Sequence, residues 1–389
     1  MERRAGTRAG GGSGPILVAL AVYLAFLALI LAPYGFNPSA LIGLGTAEPL
    51  NAPALLPGGL IVFEGIGYDG QHFYHIALSL VRGERPAVPP VRVQRIGYPL
   101  AAALLSLGQE RAIPWALVAV NLLAVGMGTA VFVRLLRRHK LNAWWSLLFA
   151  LNSGQILAVQ MDLAFPMTIA FTAGAYLCWE RRRMGATAAL LAAALLTRES
   201  AALFLVPLVA AEALGRRWRD AAVLCLPVAA FLAWQGALRA WLGAGAMEVS
   251  AGQLVAPGVG MAAALGAAAA SVGQGLAATA RQGSVVAVVV LMLGALVGSA
   301  WCLRRGYDAY TGGVLLHALF ALCASYDIWE AYASAGRVFA GVFPLLVLTY
   351  GVRRDRWTLL LLAGSAALAF FTLLRPFIIS PRVPFVATG

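Results

Sequence analysis

The sequence predicts an all-α polytopic membrane protein of about eleven spans, with its N-terminus inside and juxtamembrane helices on the outer face. Three observations carry this prediction. The 389 residues are 61% hydrophobic and only 12% charged, whereas a soluble domain is about 45–50% apolar and about 25% charged. Mean hydropathy is +0.81. Apolar runs recur near 15–33, 112–134, 143–161, 163–180, 184–197, 200–215, 220–242, 284–303, 308–327, 337–352 and 357–375, and a spanning helix takes about 20 such residues. A soluble enzyme, a disordered chain and a disulfide scaffold are excluded. Residues 1–389 read as a single integral membrane domain.

Taken in order, the first run follows MERRAGTRAGGGSG. It resembles a signal peptide, but its apolar core is long and no small-x-small cleavage site follows, so an uncleaved first span is expected. Residues 34–111 then form a large outer loop with surface helices. Its segment 97–109 (GYPLAAALLSLGQ) has the length of an interfacial or re-entrant piece rather than of a span. The 143–161 and 163–180 runs are separated only by the turn around Asp162. Residues 184–215 form one apolar stretch interrupted by TRES at 197–200. A single helix of that length would run about 48 Å at 1.5 Å per residue, so two short spans with TRES at the outer turn are expected. A second outer loop, 243–283, is rich in glycine and alanine and is expected to hold one interfacial helix.

Charge orients these elements. Six clusters hold eighteen of the 29 basic residues: Arg3 to Arg8, Arg134 to Lys140, Arg181 to Arg183, Arg216 to Arg219, Arg304 with Arg305, and Arg353 to Arg356. With eleven spans and the N-terminus inside, all six fall on the cytoplasmic side, as the positive-inside rule requires. The net charge of +13 therefore needs no nucleic acid to explain it. Arginine replaces lysine almost throughout, and alanine and glycine abound, a bias of GC-rich bacterial genomes that points to a multi-pass protein of the cytoplasmic (plasma) membrane. Cys178, Cys225, Cys302 and Cys323 lie in or beside apolar runs without metal or redox spacing and read as apolar filler.

The acids Glu64, Asp69, Asp162, Glu199, Glu248, Asp327 and Glu330 then fall on or near the outer side, with Arg95, Arg198 and Arg337. Ionisable groups at membrane depth default to a functional reading. The densest feature is FEGIGYDGQHFYHIA (63–77). Asp69 stands where a helix begins near Gly70, so it is either a plain helix cap or a general base able to take a proton from an incoming hydroxyl. Tyr68, Gln71, His72 and Tyr74 would line the same site. Asp69, His72 and His75 are spaced three apart, which could ligate a divalent metal, although ordinary interfacial histidines and no cofactor are the simpler reading.

Further along, RVQRIGYP (92–99) supplies Arg92, Arg95 and Tyr98; arginine forks suit phosphate oxygens and also anchor surface helices to headgroups. Asp162 occupies a turn tight enough to set its carboxylate at the membrane lip. Arg198 and Glu199 are adjacent, do not face each other on a helix, and so at least one is expected to address a cavity or an anionic ligand. ASYDIWEAYASAGRVF (324–339) adds Asp327, Glu330 and Arg337, with Tyr326, Trp329 and Tyr332 as an interface belt.

YDGQHFYHIA, RVQRIGYP and a long span ending in basic residues together resemble bacterial members of the GT-C superfamily of polytopic membrane glycosyltransferases. More distantly they resemble protein and GPI mannosyltransferases and lipid A aminoarabinose transferases. The resemblance covers roughly residues 15–215. It implies a catalytic acid in the first outer loop (Asp69), a second acid after the third span (Asp162) and a basic residue after the fifth that contacts the lipid phosphate (Arg198). The chain departs from the superfamily in having no paired acids in the first loop and no large soluble C-terminal domain.

The expected function is transfer of a sugar from a polyprenyl-phosphate donor to an acceptor hydroxyl on a glycan, lipid or protein at the extracytoplasmic face, with inversion, in cell-surface glycan synthesis. Asp69 and Asp162 would be catalytic. Tyr68, Gln71, His72, Arg95, Tyr98, Arg198, Glu199 and Arg337 would bind substrate. A transporter or flippase of lipid-linked saccharides, and a lipid-diphosphate glycan polymerase or ligase, remain open as alternatives.

Overall fold

A computed structural model describes residues 12–245 and 253–378; Arg3, Arg4, Arg8 and Glu248 lie outside the described residues. The first apolar run forms α1 (Gly14–Leu31). The first loop contains two short paired strands, β1 (Leu44–Gly45) and β2 (Val62–Phe63). It also contains α2 (Gly70–Arg82), α3 (Pro90–Val93) and α4 (Gly97–Leu105). The first half of the chain continues through α5 (Ile113–Arg138), α6 (Ser146–Ala150), α7 (Ser153–Gln160), α8 (Phe165–Glu180), α9 (Met184–Thr197), α10 (Ala202–Leu214) and α11 (Trp218–Leu242). The second loop contributes α12 (Val259–Ala270), and the chain closes with α13 (Leu276–Leu303), α14 (Ala309–Leu322), α15 (Tyr326–Trp329), α16 (Tyr332–Val338), α17 (Val342–Arg353) and α18 (Arg356–Ile378).

Among the described residues the protein is nearly all helix, and five helices (α1, α5, α11, α13, α18) are long and apolar enough to cross a membrane. The α16–α17 pair, bent by 41°, makes a sixth if it is one crossing. The 143–161 run is not the continuous span expected. It breaks at Asn152, whose side chain accepts a hydrogen bond from the Gln155 amide at 3.1 Å and so starts a new helix, α7. The break expected at TRES is present: Arg198 leaves the helical region (φ −161°, ψ 127°) between α9 and α10. Segment 97–109 forms only the nine-residue α4, and Leu104 and Leu107 beyond its buried face are exposed, as suits an interfacial helix.

Polar tips tie the packed helices together. Tyr23 on α1 donates its hydroxyl to the Ala150 carbonyl at 2.7 Å. Trp329 and Tyr332 are fully buried rather than forming an interface belt; Trp329 donates its indole N–H to the Ala321 carbonyl. Apolar packing around these rings outweighs the headgroup preference because both groups find partners inside.

Besides the exposed Arg82–Glu110 pair at the end of α2, most ion pairs among the described residues gather at two separate places. In one, Glu180 meets Arg138 and His139, Glu212 meets Arg182 and Arg217, and Asp308 meets Arg353. Arg354 donates to the His139 carbonyl at 2.7 Å, which joins the α5 and α17 ends. The other group holds Asp69, Arg92, Arg95, Glu199 and Arg337.

Candidate functional site

Asp69 is placed by the backbone around it. Gly67 has φ +70°, a left-handed turn that glycine takes without steric cost, and it aims the following residues inward. At Gly70 a Cβ would fall 2.5 Å from the Ile42 carbonyl oxygen and 2.7 Å from that of Met161. Only a glycine lets the start of α2 press against the turn before α8, which accounts for the Asp-Gly pair in YDGQ.

The Asp69 carboxylate does not cap α2; no capping hydrogen bond forms. Its Oδ1 pairs with Arg92 Nη1 at 2.9 Å and its Oδ2 accepts from Arg337 Nη2 at 2.7 Å. Arg337 also lies over the Tyr68 ring, 5.3 Å from its centroid, a cation–π contact. Burial alone would raise the Asp69 pKa, but the charges of Arg337 and Arg92 overcome it and hold the carboxyl well below the usual carboxylate range. Asp69 is thus ionised and partly satisfied, which makes it a weak base until its arginines are drawn elsewhere.

Arg95 and Glu199 form a bidentate pair, with Arg95 Nε to Glu199 Oε2 at 2.8 Å. It joins the α3–α4 link to the α9–α10 turn across 104 residues of sequence. Burial tends to raise the Glu199 pKa, and Arg95 brings it down to about 2. Arg198 differs. Among the described residues no carboxylate lies within ion-pair distance of it, and its guanidinium rests over Phe165, 5.8 Å from the ring centroid. Burial, then Arg95 and Arg337, push its pKa down to about 9, so it remains cationic at neutral pH without a counter-ion of its own.

These groups line one chamber of 260 Å³, with Asp69, Arg92, Arg95, Arg198, Glu199 and Arg337 on its walls. Arg92, Arg95, Glu199, Ser200, Gln253 and Phe320 also line an adjoining 530 Å³ groove. That groove continues along Ala202, Leu203, Phe231 and Leu254 and is largely apolar. A cationic chamber opening into an apolar groove suits an amphiphile with a charged head.

The structure redistributes several of the sequence-predicted roles. Gln71 does not face ligand. Its Oε1 accepts from the Gly45 amide and from Asn51, and its Nε2 donates to the Ile66 carbonyl, so both ends hold the loop. Tyr98 is fully buried, donating to the Leu117 carbonyl and accepting from Asn121. Both were predicted to bind substrate, and both are instead consumed by internal hydrogen bonds. His72 stays near the site, its pKa lowered by burial and by Arg92. His75 is bonded to Asn51 at 2.7 Å, so Asp69, His72 and His75 do not converge; among the described residues no group of three His, Cys, Asp or Glu comes together as a metal site.

Asp162 is also not where the sequence suggested. It adopts φ +47° and is fully buried rather than at the membrane lip, with neither carboxylate oxygen hydrogen-bonded. Burial pushes its pKa well above the carboxylate range. Its neighbours Leu163, Ala164 and Phe165, rather than Asp162 itself, reach toward Arg95, Arg198 and Arg337. Of the acids near the last outer turn, Asp327 lines the chamber, while Glu64 and Glu330 are exposed elsewhere.

The sequence reading missed Gln253 and Phe320, which carry no pattern of their own, and Arg375. The last is a lone arginine in the apolar run of α18, buried at 9% exposure, and a charge inside a span is a signal by itself. Compared with known proteins, the chain matches no family model, no curated protein and no solved structure.

Proposed function

We propose that this protein is a membrane glycosyltransferase that moves a sugar from a polyprenyl-phosphate donor to an acceptor hydroxyl at the extracytoplasmic face of the membrane. The observation that carries the reading is Arg198: a half-buried guanidinium with no carboxylate at ion-pair distance among the described residues, in the chamber that holds Asp69, where an apolar groove ends. A cation held in a partly desolvated site without a contacting counter-ion is costly, and a lipid phosphate with its tail in the groove supplies that contact.

In this reading the donor phosphate lies against Arg198, with Arg337 and Arg92 within its reach. The acceptor oxygen attacks the anomeric carbon as the carbon–phosphate-oxygen bond breaks, the acceptor proton passes to Asp69, and polyprenyl phosphate leaves with inversion at the sugar. Charge grows on the leaving phosphate during this step, and preorganised arginines stabilise it when it develops. As the phosphate competes for Arg337 and Arg92, it weakens their hold on Asp69 and raises its basicity where a base is needed. Glu199 positions Arg95 rather than touching substrate. Asp162, buried in a left-handed turn, shapes the link that carries Leu163 to Phe165.

The chamber volume of 260 Å³ lies below the ~300–1,000 Å³ typical of drug-sized ligands, which favours a single sugar over the oligosaccharide of a polymerase or ligase. Transport would place charge near mid-membrane, whereas most ion pairs here gather in two groups. Those groups also support eleven crossings with the N-terminus inside, α8, α9, α10 and α14 being short crossings: four of the six basic clusters meet in one group and the chamber stands in the other.

The test uses purified protein, a polyprenyl-phosphate hexose labelled in the sugar, and membranes as the acceptor source. Acceptor-dependent release of polyprenyl phosphate is expected, with Arg198→Gln raising the KM for donor by about tenfold or more. Movement of the intact labelled lipid without release, or unchanged kinetics in Arg198→Gln, would refute the assignment.

A further inference from the structure

The arginines of the chamber account for a phosphate, but the rest of its lining has a different make-up. The second outer loop and the segment around α15 and α16 contribute Gln253, Ser325, Asp327 and Ser334, with the apolar Ile328 and Val338 beside them. The paired arginines of the chamber go to Asp69 and Glu199, which leaves Asp327 without a basic partner at ion-pair distance among the described residues.

Ser325 is the firmest of these positions. It stands at the N-cap of α15, where a serine hydroxyl usually accepts from the helix amides, but no such bond forms. Its backbone is tied down instead. The Ser325 amide donates to the Gln253 carbonyl at 2.9 Å, and the amides of Val255 and Gly258 donate to the carbonyls of Cys323 and Leu322 at 2.8 and 2.7 Å. Gly260 lets the start of α12 press on the same turn, since a Cβ there would fall 2.1 Å from the Ala324 carbonyl oxygen. Ser325 is 5% exposed, its Oγ has no hydrogen-bond partner, and it lines the chamber. A buried hydroxyl left unpaired costs free energy, and a ligand hydroxyl in the chamber would pair it.

Charge narrows the ligand further. Four guanidiniums (Arg92, Arg95, Arg198, Arg337) and three carboxylates (Asp69, Glu199, Asp327) line the chamber, one positive charge in excess. A neutral sugar on a lipid phosphate diester brings one negative charge and balances it. A uronic acid would bring a second negative charge into a chamber that already holds Asp327, and an amino sugar would cancel the phosphate charge and leave the excess uncompensated. An ionised carboxylate only accepts hydrogen bonds, whereas a serine hydroxyl donates or accepts. Sugar hydroxyls satisfy both, and Ile328 and Val338 offer apolar surface to the ring C–H groups. We propose that Ser325 and Asp327 read the hydroxyls of a neutral monosaccharide and so decide which lipid-linked sugar the chamber accepts. This rests on the transfer reading above and adds the sugar class to it.

The test uses full-length protein in detergent and measures binding of four probes: polyprenyl-phosphate hexose, the corresponding hexuronate, the corresponding amino sugar, and polyprenyl methyl phosphate, a sugar-free diester with the same charge as the first. Wild type is expected to bind the hexose about thirtyfold more tightly than the methyl diester, and more tightly than the two charged sugars. Ser325→Ala keeps about a fivefold preference for hexose over methyl diester and Asp327→Asn about a threefold one. Asp327→Asn also closes the gap between hexose and hexuronate. Ser325→Ala is expected to bind the methyl diester as wild type does and to melt at the same temperature, because its Oγ holds no bond within the protein. Arg198→Gln weakens both the hexose and the methyl diester and leaves their ratio unchanged.

Equal wild-type affinity for hexose and methyl diester overturns the proposal, as does a ratio that neither Ser325→Ala nor Asp327→Asn moves. Tighter wild-type binding of the hexuronate or the amino sugar overturns the neutral-sugar assignment. Unchanged binding of both diesters by Arg198→Gln overturns the phosphate assignment of the transfer reading, while shifted ratios in Ser325→Ala and Asp327→Asn would still support the sugar contacts. Shifted ratios without acceptor-dependent release of polyprenyl phosphate would likewise sink the transfer reading and support this site as one that holds a lipid-linked sugar.

Discussion

Replacing Asp69 with asparagine separates binding from turnover, because the same carboxylate does opposite things to the two. In the resting protein its negative charge occupies Arg92 at 2.9 Å and Arg337 at 2.7 Å. A lipid phosphate arriving in the chamber is attracted by the guanidiniums and repelled by Asp69. At roughly 6 Å and an effective dielectric constant of about 20, that repulsion is about 3 kcal/mol. Compensation by the two arginines reduces it to about 1–2 kcal/mol, or roughly tenfold in affinity. Asp69→Asn therefore is expected to bind polyprenyl phosphate about tenfold more tightly, since it removes the competitor and leaves Arg92, Arg198, Arg337 and Arg95 in place. Turnover moves the other way: loss of a general base costs about 10²–10⁴-fold. Titrating tryptophan fluorescence with polyprenyl phosphate measures the first, and release from labelled donor measures the second. Weaker binding together with lost turnover would show that Asp69 only holds the arginines in place. Retained turnover would remove it from the chemistry.

Three further outcomes follow from the same geometry. Asp162→Asn keeps the shape in a left-handed position that asparagine tolerates and dispenses with a buried carboxyl whose folded pKa is raised; that penalty grows as pH rises above the unfolded value of about 3.9, so the variant is expected to retain activity and to gain thermal stability over wild type at neutral pH but not near pH 4, by a detergent melt. A Tm gain that is the same at both pH values refutes this. Glu199 and Asp69 have lowered folded pKa values, so their contributions are complete above about pH 4–5 and are lost as pH falls toward about 2; melting temperature is expected to be flat from pH 5 to 7 as far as these pairs decide it, and Glu199→Gln to abolish part of the acid loss. Gly70→Ala forces a methyl against two carbonyl oxygens at 2.5 and 2.7 Å, and the resulting shift of α2 is expected to cut turnover by about 10²-fold through misplacement of Asp69, with donor affinity changed far less; equal losses in both would mean that the helix had simply come undone.

The main helices were legible in the sequence because apolar length and arginine placement are one-dimensional signals. The 184–215 stretch shows this: its length exceeded a membrane's thickness, so a break had to fall at TRES, and Arg198 is extended there. Asn152 was harder to see. A single capping residue inside an apolar run turns one apparent span into α6 and α7, and run length alone does not register it. Chemistry at the site was legible by residue type but not by partner. Asp69, Arg95, Arg198, Glu199 and Arg337 come together across 268 residues at the widest, and nothing local fixes which arginine meets which acid. Gln71 and Tyr98 were misplaced for the converse reason: a polar side chain beside a catalytic motif reads as a ligand contact until its hydrogen bonds are counted. Asp162 is the clearest case, since a turn can bring a carboxylate to a surface or, as its left-handed backbone does here, turn it inside.

The pairing pattern around Asp69 explains why an acid and so many bases can share a small chamber without the site collapsing. Arg95 is committed to Glu199 by two hydrogen bonds and keeps that partner whether or not ligand is present. Arg92 and Arg337 are shared with Asp69 and therefore exchangeable, and Arg198 has no carboxylate within ion-pair distance among the described residues. The four guanidiniums thus form a series from locked to free. An incoming phosphate meets Arg198 first in energetic terms, because that cation has no existing bond to lose. On the proposed reading it recruits Arg337 and Arg92 only by loosening Asp69, so that the carboxylate would become basic once the leaving group is in place. Such an order would tie proton acceptance to donor occupancy. A pH profile of kcat/KM, which reports the free protein, should accordingly lack the Asp69 limb above pH 5, whereas the profile of kcat, which reports the donor complex, should show it displaced upward. Superimposable acid limbs would mean that phosphate and carboxylate do not compete for the same arginines.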